Sequence, residues 1–437
     1  MPDLSIVVTT YNIEDYVEEC LASVAAQTLR DLEVLVVDDG SSDSTPERIT
    51  AFCAQDPRFV PVLLPTDSPG GVATAANAGL DRATGHWVGF VDGDDFVEPR
   101  MFERLVESAV AHDADLAICE YQEVVDGTGE RRDPADAHRW AGLTEPSYVL
   151  DVATRKQLLR FIAVPWRKLY RRSLLDSQAI RFPVSDGFYE DNPFHWFVLL
   201  SAASVAVVPE VLCYHRVGRA GQTMATVDAR LFQLFGHHDT IHAWLAEQRL
   251  LEVYETSLLG WVISQMEWIA RRTPGPLQRT LFDVLVPIFA QYTPETVAAA
   301  LREGGKGSTA QRLSAAVRKR EFGSFVRTLT TRPGSNNPLV TAAFHLRHSG
   351  VQHTVTLTGR YLRNALQGGR VTRVAGRASR FGRHEPSRQD LLFALMVIQR
   401  RLDEQSAQLA RLDDRLAAST SPDAAASLAA PDESRTS

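Results

Sequence analysis

The 437-residue chain has only four cysteines, Cys20, Cys53, Cys119 and Cys213, and none of them forms a C-x-x-C pair. That spacing excludes a zinc ribbon or a thioredoxin-type site and fits four buried thiols in a reducing compartment. No basic segment precedes the first apolar run, so no secretory leader is expected. The longest apolar stretch, 196–208, stops at Pro209-Glu210 and is too short to cross a bilayer. No G-x-G-x-x-G follows the first expected strand, and no G-x-x-x-x-G-K-[ST] occurs, which argues against a dinucleotide dehydrogenase and a P-loop enzyme. With 44% hydrophobic and 23% charged residues, 27 Gly and 22 Pro, the chain is neither collagen-like nor wholly disordered. Its length suggests two to three domains of roughly 100–200 residues each. These absences predict a cytoplasmic protein without a membrane-spanning helix.

The formal charge of -8 is unevenly spread. Residues 1–311 carry -18, residues 312–383 carry +13, and residues 384–437 carry -3. An acidic globule followed by a basic strip is a statement about partners. The strip suits an anionic membrane leaflet, an anionic polymer, or the ordinary basic face of an accessory domain. Without interleaved aromatics, no nucleic-acid partner is expected.

In the first 120 residues, 4–9, 33–37, 60–64, 87–91 and 116–119 read as strands, apolar without alternation, as strands buried on both faces are. Between them, 15–27, 46–54, 72–83 and 99–112 have helical spacing, with Ser44 or Thr45 ahead of Pro46 reading as a hydroxyl cap. Such alternation predicts a parallel βαβ sheet, whose ligands bind beyond the carboxyl ends of the strands. Those ends read Thr9-Thr10-Tyr11-Asn12, Asp38-Asp39-Gly40-Ser41-Ser42-Asp43 and Asp92-Gly93-Asp94-Asp95. Carboxylates gathered on one edge repel, and their pKa values rise unless a cation or partner sits there.

Further along, 210–215 reads as a strand and 228–302 as helical, with apolar spacing through Leu231, Leu234, Leu258, Val262, Met266 and Leu285. Residues 303–386 are rich in Gly and Arg. Leu391, Leu395, Ile398, Leu402, Gln405, Leu409, Leu412 and Leu416 then form an a/d heptad seam, introduced by Ser387 and Asp390. Nothing after it offers a cover, so the seam predicts a homo-oligomer. The expected organisation is 1–225, a helical extension 226–302, a basic accessory region 303–386, a coiled-coil helix 387–418 and a disordered tail 419–437.

The strand-end motifs, with Gly70-Gly71, Ala75-Ala76-Asn77-Ala78-Gly79, Thr84-Gly85, Glu190-Asp191, Trp166-Arg167-Lys168-Leu169-Tyr170 and Tyr214-His215-Arg216, occur in a telling order. Over about 1–220 the chain resembles a family-2 inverting glycosyltransferase of the nucleotide-diphosphosugar transferase (GT-A) fold. The resemblance implies an α/β fold: a mixed, mainly parallel, Rossmann-like sheet flanked by helices. It implies that Asp39 binds the base, usually uracil, beside Tyr11, with Thr9 and Asn12 lining that pocket. It also implies that Asp94 is the main contact of Mn2+ or Mg2+, that Asp92 reaches the ribose or a metal-bound water, and that Asp95 supports the loop. Gly93 is expected to let the backbone turn tightly there. His215 would be a further metal or phosphate ligand, and Arg216 and Arg219 would grip the diphosphate. A hard cation with open sites offsets charge on a departing diphosphate, which is why carboxylates suit this position.

Inversion needs a base facing away from the leaving group. By resemblance that is Asp191, with Glu190 positioning it; the competing reading is that Asp191 merely caps a helix. Many relatives carry Ala-Arg-Asn where this chain has Ala75-Ala76-Asn77, so a basic side chain near the substrate is missing here. The implied activity moves a hexosyl or N-acetylhexosaminyl group from a nucleotide sugar to a polysaccharide, wall-polymer or lipid-linked acceptor at the inner face of the cell membrane. The alternative is a non-catalytic scaffold that binds the nucleotide sugar and assembles a complex through its heptad helix.

Overall fold

The computed structural model describes residues 1–65, 71–184, 188–219 and 228–330. Gly70, the basic strip beyond 330, the heptad helix and the tail lie outside those residues.

One sheet gathers β1 (Leu4–Thr10), β2 (Leu32–Asp38), β3 (Phe59–Leu63), β4 (Trp87–Asp92), β5 (Phe96–Val97), β6 (Leu116–Val125), β7 (Arg131–Arg132), β8 (Ser147–Val149), β9 (Lys168–Arg171) and β10 (Ser204–Val217). Its order is β3-β2-β1-β4-β9-β6-β10-β5, with β7 beside β6 and β8 beside β10. Strands β3, β2, β1 and β4 run parallel, β9 is antiparallel to both its neighbours, and β6 and β10 run parallel again. Every residue of β1 is buried, as its unbroken Leu-Ser-Ile-Val-Val-Thr-Thr run demands of a central strand. By contrast β3 buries only Phe59 and Val62 and carries Pro61, which its edge position tolerates.

Register does the positioning. Thr10 pairs with Asp38 and Thr9 with Asp92, so three strands deliver their last residues to one level. On the far side β10 is irregular between Val208 and Cys213, around Pro209-Glu210, and its end brings His215 alongside.

Helices α1 (Val17–Ala25), α2 (Thr45–Cys53), α3 (Val72–Leu80), α4 (Met101–Ala111), α5 (Val152–Leu158), α6 (Arg172–Ser177) and α7 (Asp191–Ser201) are interleaved with the strands. The expected hydroxyl cap of α2 is absent: Ser44 makes no capping bond, and Asp43 Oδ1 instead accepts from the Thr45 N–H at 3.0 Å. Thr45 Oγ1 is used elsewhere, accepting from the Ile13 N–H at 2.9 Å and tying this helix to the loop after β1. Helix α7 is apolar nearly all round, because Phe194 stacks on Phe182 at 3.9 Å and meets Phe90 and Tyr170 edge-on.

A second apolar core lies C-terminal. Helices α8 (Gly236–Glu247), α9 (Leu251–Ala270), α10 (Gln278–Ala290), α11 (Pro294–Glu303), α12 (Ser308–Arg318) and α13 (Phe322–Thr330) follow one another. Of these, α9 to α13 surround Val262, Met266, Leu285, Phe289, Leu313 and Phe325. Residues 308–330, grouped from sequence with the basic region, therefore pack as amphipathic helices into the same core as 231–300. Their arginines lie on exposed faces and mask that pattern in the composition. Residues 1–331 form one compact unit. Among the described residues no single helix is long and apolar enough to cross a membrane.

Candidate functional site

The level strand ends open into a cleft of about 1940 Å³. Sites for one small ligand are usually about 300–1,000 Å³, so this cleft has room for two. Thr9, Tyr11, Asn12, Asp39, Asp92, Asp94, Glu190, Asp191, His215 and Arg219 all border it.

The turn after β1 is held by its neighbour. Asn12 is in a left-handed conformation (φ 49°); its N–H donates to Ser41 Oγ at 2.8 Å, and its Oδ1 accepts from the Ser42 N–H at 2.8 Å. Asp38 is buried and accepts from Thr10 and Ser41, which leaves Asp39 as the carboxylate that borders the cleft. Tyr11 is 47% exposed there, an unusually open aromatic face for packing a flat ring.

Asp92 lies beside Thr9, whose hydroxyl donates to it at 3.3 Å. Gly93 is needed for close approach rather than for a left-handed turn: a Cβ there would lie 2.6 Å from Ile13 Cδ1 and from Thr10 Cγ2. Arg219 Nε donates to Asp94 Oδ2. Asp95 turns away from the cleft, accepting from His215 Nδ1 at 2.9 Å and from the Arg216 N–H at 2.8 Å. Burial, then the charges of Asp95 and Asp94, push the Asp92 carboxyl up to about 8. Burial also raises Asp95. Burial alone would lower the His215 imidazole, but Asp95 outweighs it and lifts it to about 9.

Arg216 does not border the cleft. Its guanidinium reaches Glu19 at 2.7 Å and Asp126 at 3.4 Å and donates to the Asp94 carbonyl, so it braces the loop from behind. Arg219 is the arginine on the open side.

Glu190 and Asp191 open α7. The chain enters α7 through Glu190, whose side chain makes no capping bond, and Asp191 is the first residue of the helix. Tyr189, just ahead, holds a positive φ of 70°, a strained conformation for an aromatic residue. Burial pushes Glu190 up to about 7. Burial, reinforced by Glu190 and Asp92 and opposed by Lys168 and His215, holds Asp191 well above the carboxylate range.

Whether a divalent cation fits is decided by the donor set. Among the described residues no three His, Cys, Asp or Glu side chains converge as a ready cage. Asp92 and Asp94 nevertheless offer hard oxygens to the cleft. Two carboxylates with the remaining positions left to substrate phosphates suit Mg2+-like ions. The residues fit.

The opposite wall comes from α9. Trp261 and Trp268 stand seven residues apart, two turns along one face, and both border the cleft with Tyr189. Trp261 Nε1 donates to Asn192 Oδ1 at 3.0 Å, joining the wall to the start of α7. Sequence reading missed these residues, although the spacing of seven was visible within the helical extension.

A mixed, mainly parallel sheet flanked by helices, with carboxylates at its strand ends and a second wall beside it, defines the class as α/β. The fold resembles S. aureus TarS 1–349 in complex with UDP-GlcNAc, with a TM-score of 0.60 at 22% identity over 79% of this chain and 92% of that one. This is the GT-A fold. The Glycosyl transferase family 2 profile matches residues 5–178. The Bacillus subtilis glycosyltransferase EpsJ is 34% identical over 218 residues, 49% of this chain and 61% of EpsJ. A Nostoc sp. glycosyltransferase is 34% identical over 228 residues, 52% of this chain and 68% of its own length. The chain belongs to glycosyl transferase family 2; it spans about three fifths of EpsJ.

Proposed function

We propose that this protein is an inverting glycosyltransferase of polysaccharide synthesis. It moves a sugar from a UDP-linked donor to a hydroxyl of a polysaccharide, wall-polymer or lipid-linked acceptor. One observation carries the reading: Tyr11, Asp39, the Asp92/Asp94 pair and Asp191 come from four separate segments and border one cleft.

Asp39 would accept from the base and Tyr11 would pack against its ring. Asp92 and Asp94 would hold a Mn2+ or Mg2+ ion, which when bound supplies charge to the departing diphosphate. Asp191 takes the proton of the acceptor hydroxyl as its oxygen bonds to the anomeric carbon and the bond to the diphosphate breaks. A general base works best with a pKa near the working pH, and burial moves Asp191 upward from the ordinary range. Trp261, Trp268 and Tyr189 offer apolar faces on which an acceptor sugar can lie.

The test is thermal stability with UDP, GDP, CDP or TDP, with and without Mn2+, for wild type and Asp94→Ala. At about 100 times the dissociation constant, a nucleotide should add roughly 2.7 kcal/mol. A Mn2+-dependent shift with UDP that Asp94→Ala loses supports the reading. No shift with any nucleotide removes it.

A further inference from the structure

The cleft has a second arm that the donor chemistry does not use. Arg139, Lys156, Arg160 and Lys306 all border it. Arg139 lies in a short 3-10 helix (Ala137–Gly142), Lys156 and Arg160 in and just after α5, and Lys306 between α11 and α12. Among the described residues these four side chains make no ion pair or hydrogen bond, whereas Arg104, Arg171, Arg181, Arg216 and Arg219 are each paired with a carboxylate. The Arg139 Nε is buried without a partner.

Three of these cations, Arg139, Arg160 and Lys306, also feel one another. Burial, then the charge of Arg160, lowers the Arg139 guanidinium, and Asp136 opposes this. Burial, reinforced by Arg139 and Arg160 and opposed by Glu267, lowers the Lys306 ammonium. Each acid already faces another cation, Asp136 Oδ2 pairing with Arg167 at 2.8 Å and Glu267 with Arg271 at 2.7 Å, while Asp136 Oδ1 is buried without a hydrogen bond. Like charges held together at a partly buried wall cost free energy that an anion would recover.

We propose that this arm is an oxyanion subsite for the acceptor, and that the acceptor carries phosphate groups. Four cations exceed what one carboxylate balances, whereas a chain of phosphodiesters or a lipid-linked diphosphate brings several negative charges. Guanidinium forks grip phosphate oxygens in pairs. The proposal rests on the transferase reading for the word acceptor; the anion site itself does not.

The experiment measures binding to the full chain of three probes: a synthetic oligo(glycerol phosphate), a farnesyl-diphosphate-linked monosaccharide, and a neutral hexasaccharide. Wild type should bind at least one anionic probe more tightly than the neutral one. R139Q/R160Q/K306Q should weaken that probe at least about tenfold while UDP binding stays unchanged. Preference for the polymer or for the lipid diphosphate identifies the source, and either supports the proposal. Equal binding of all three probes by wild type overturns it, as does a triple variant that keeps wild-type affinity for the anions. Should the triple variant fail to fold, Arg160→Gln alone, at an exposed position, carries the same comparison with a smaller loss. Absence of UDP binding would strike the transferase reading, while anion binding would stand or fall separately.

Discussion

Arg219 donates its Nε to the Asp94 carboxylate, so the residue expected to meet a metal ion is already matched by a protein cation. Both side chains border the cleft. Mn2+ alone must therefore displace an arginine, whereas Mn2+ with a diphosphate offers that arginine a new partner. Arg219→Gln should bind Mn2+ more tightly in the absence of nucleotide and UDP more weakly. Titrations of each ligand check both signs. A variant that loses both affinities would show that Arg219 shapes the loop instead.

Asp191→Asn removes the proposed base with little change in shape. UDP binding should persist and turnover should fall about 10²–10⁴-fold, measured as product formed at saturating donor. Near-native turnover would take Asp191 out of the mechanism.

Stability of the ligand-free protein should fall as pH rises from 7 to 9. Asp92, lifted to about 8, keeps a proton in the folded state that the unfolded chain has already lost. His215, lifted to about 9, does the same above its ordinary value of 6.5. In both cases the folded state binds more protons across this window, so rising pH favours unfolding. Lys168, held well below its ordinary value by burial, opposes this fall, and His195, His237 and His238, also lowered by burial, oppose it at more acidic pH. Asp92→Asn should flatten the slope in urea titrations at several pH values, and a slope as steep as wild type would assign it elsewhere.

Phe194→Ala should cost about 3–5 kcal/mol in urea unfolding, as large apolar truncations in a packed core do. Phe194 stacks on Phe182 and meets Phe90 of β4 edge-on, and its helix begins with Asp191. Turnover of the folded fraction should drop as well, because the loosened helix carries the proposed base. A loss of stability with full turnover would separate the packing of α7 from the placing of Asp191.

The parallel half of the sheet was legible because β1, β2 and β4 are buried along nearly their whole length and show it as largely apolar runs. The carboxylates at their ends were legible for the same reason, since strand ends of a parallel sheet share a level. Less visible was which side of a residue faces the cleft. Arg216 and Arg219 are three apart and equally basic, yet only the contacts with Glu19 and Asp126 show that the first braces the loop. The wall of Trp261 and Trp268 depends on how α9 packs beside the sheet, a long-range relation that no local pattern encodes. Residues 308–330 were hidden by composition, because basic side chains on exposed helix faces outweigh the few apolar positions that pack.

The hydrogen bond from Trp261 to Asn192 joins two bodies of packing that are otherwise maintained by different side chains. Substitutions deep among Met266, Leu285 and Phe325 can retune the aromatic wall while leaving the strand ends untouched, and their effects should add to those of changes around Asp39. On the proposed reading, such a molecule can drift toward a new acceptor without relearning its donor.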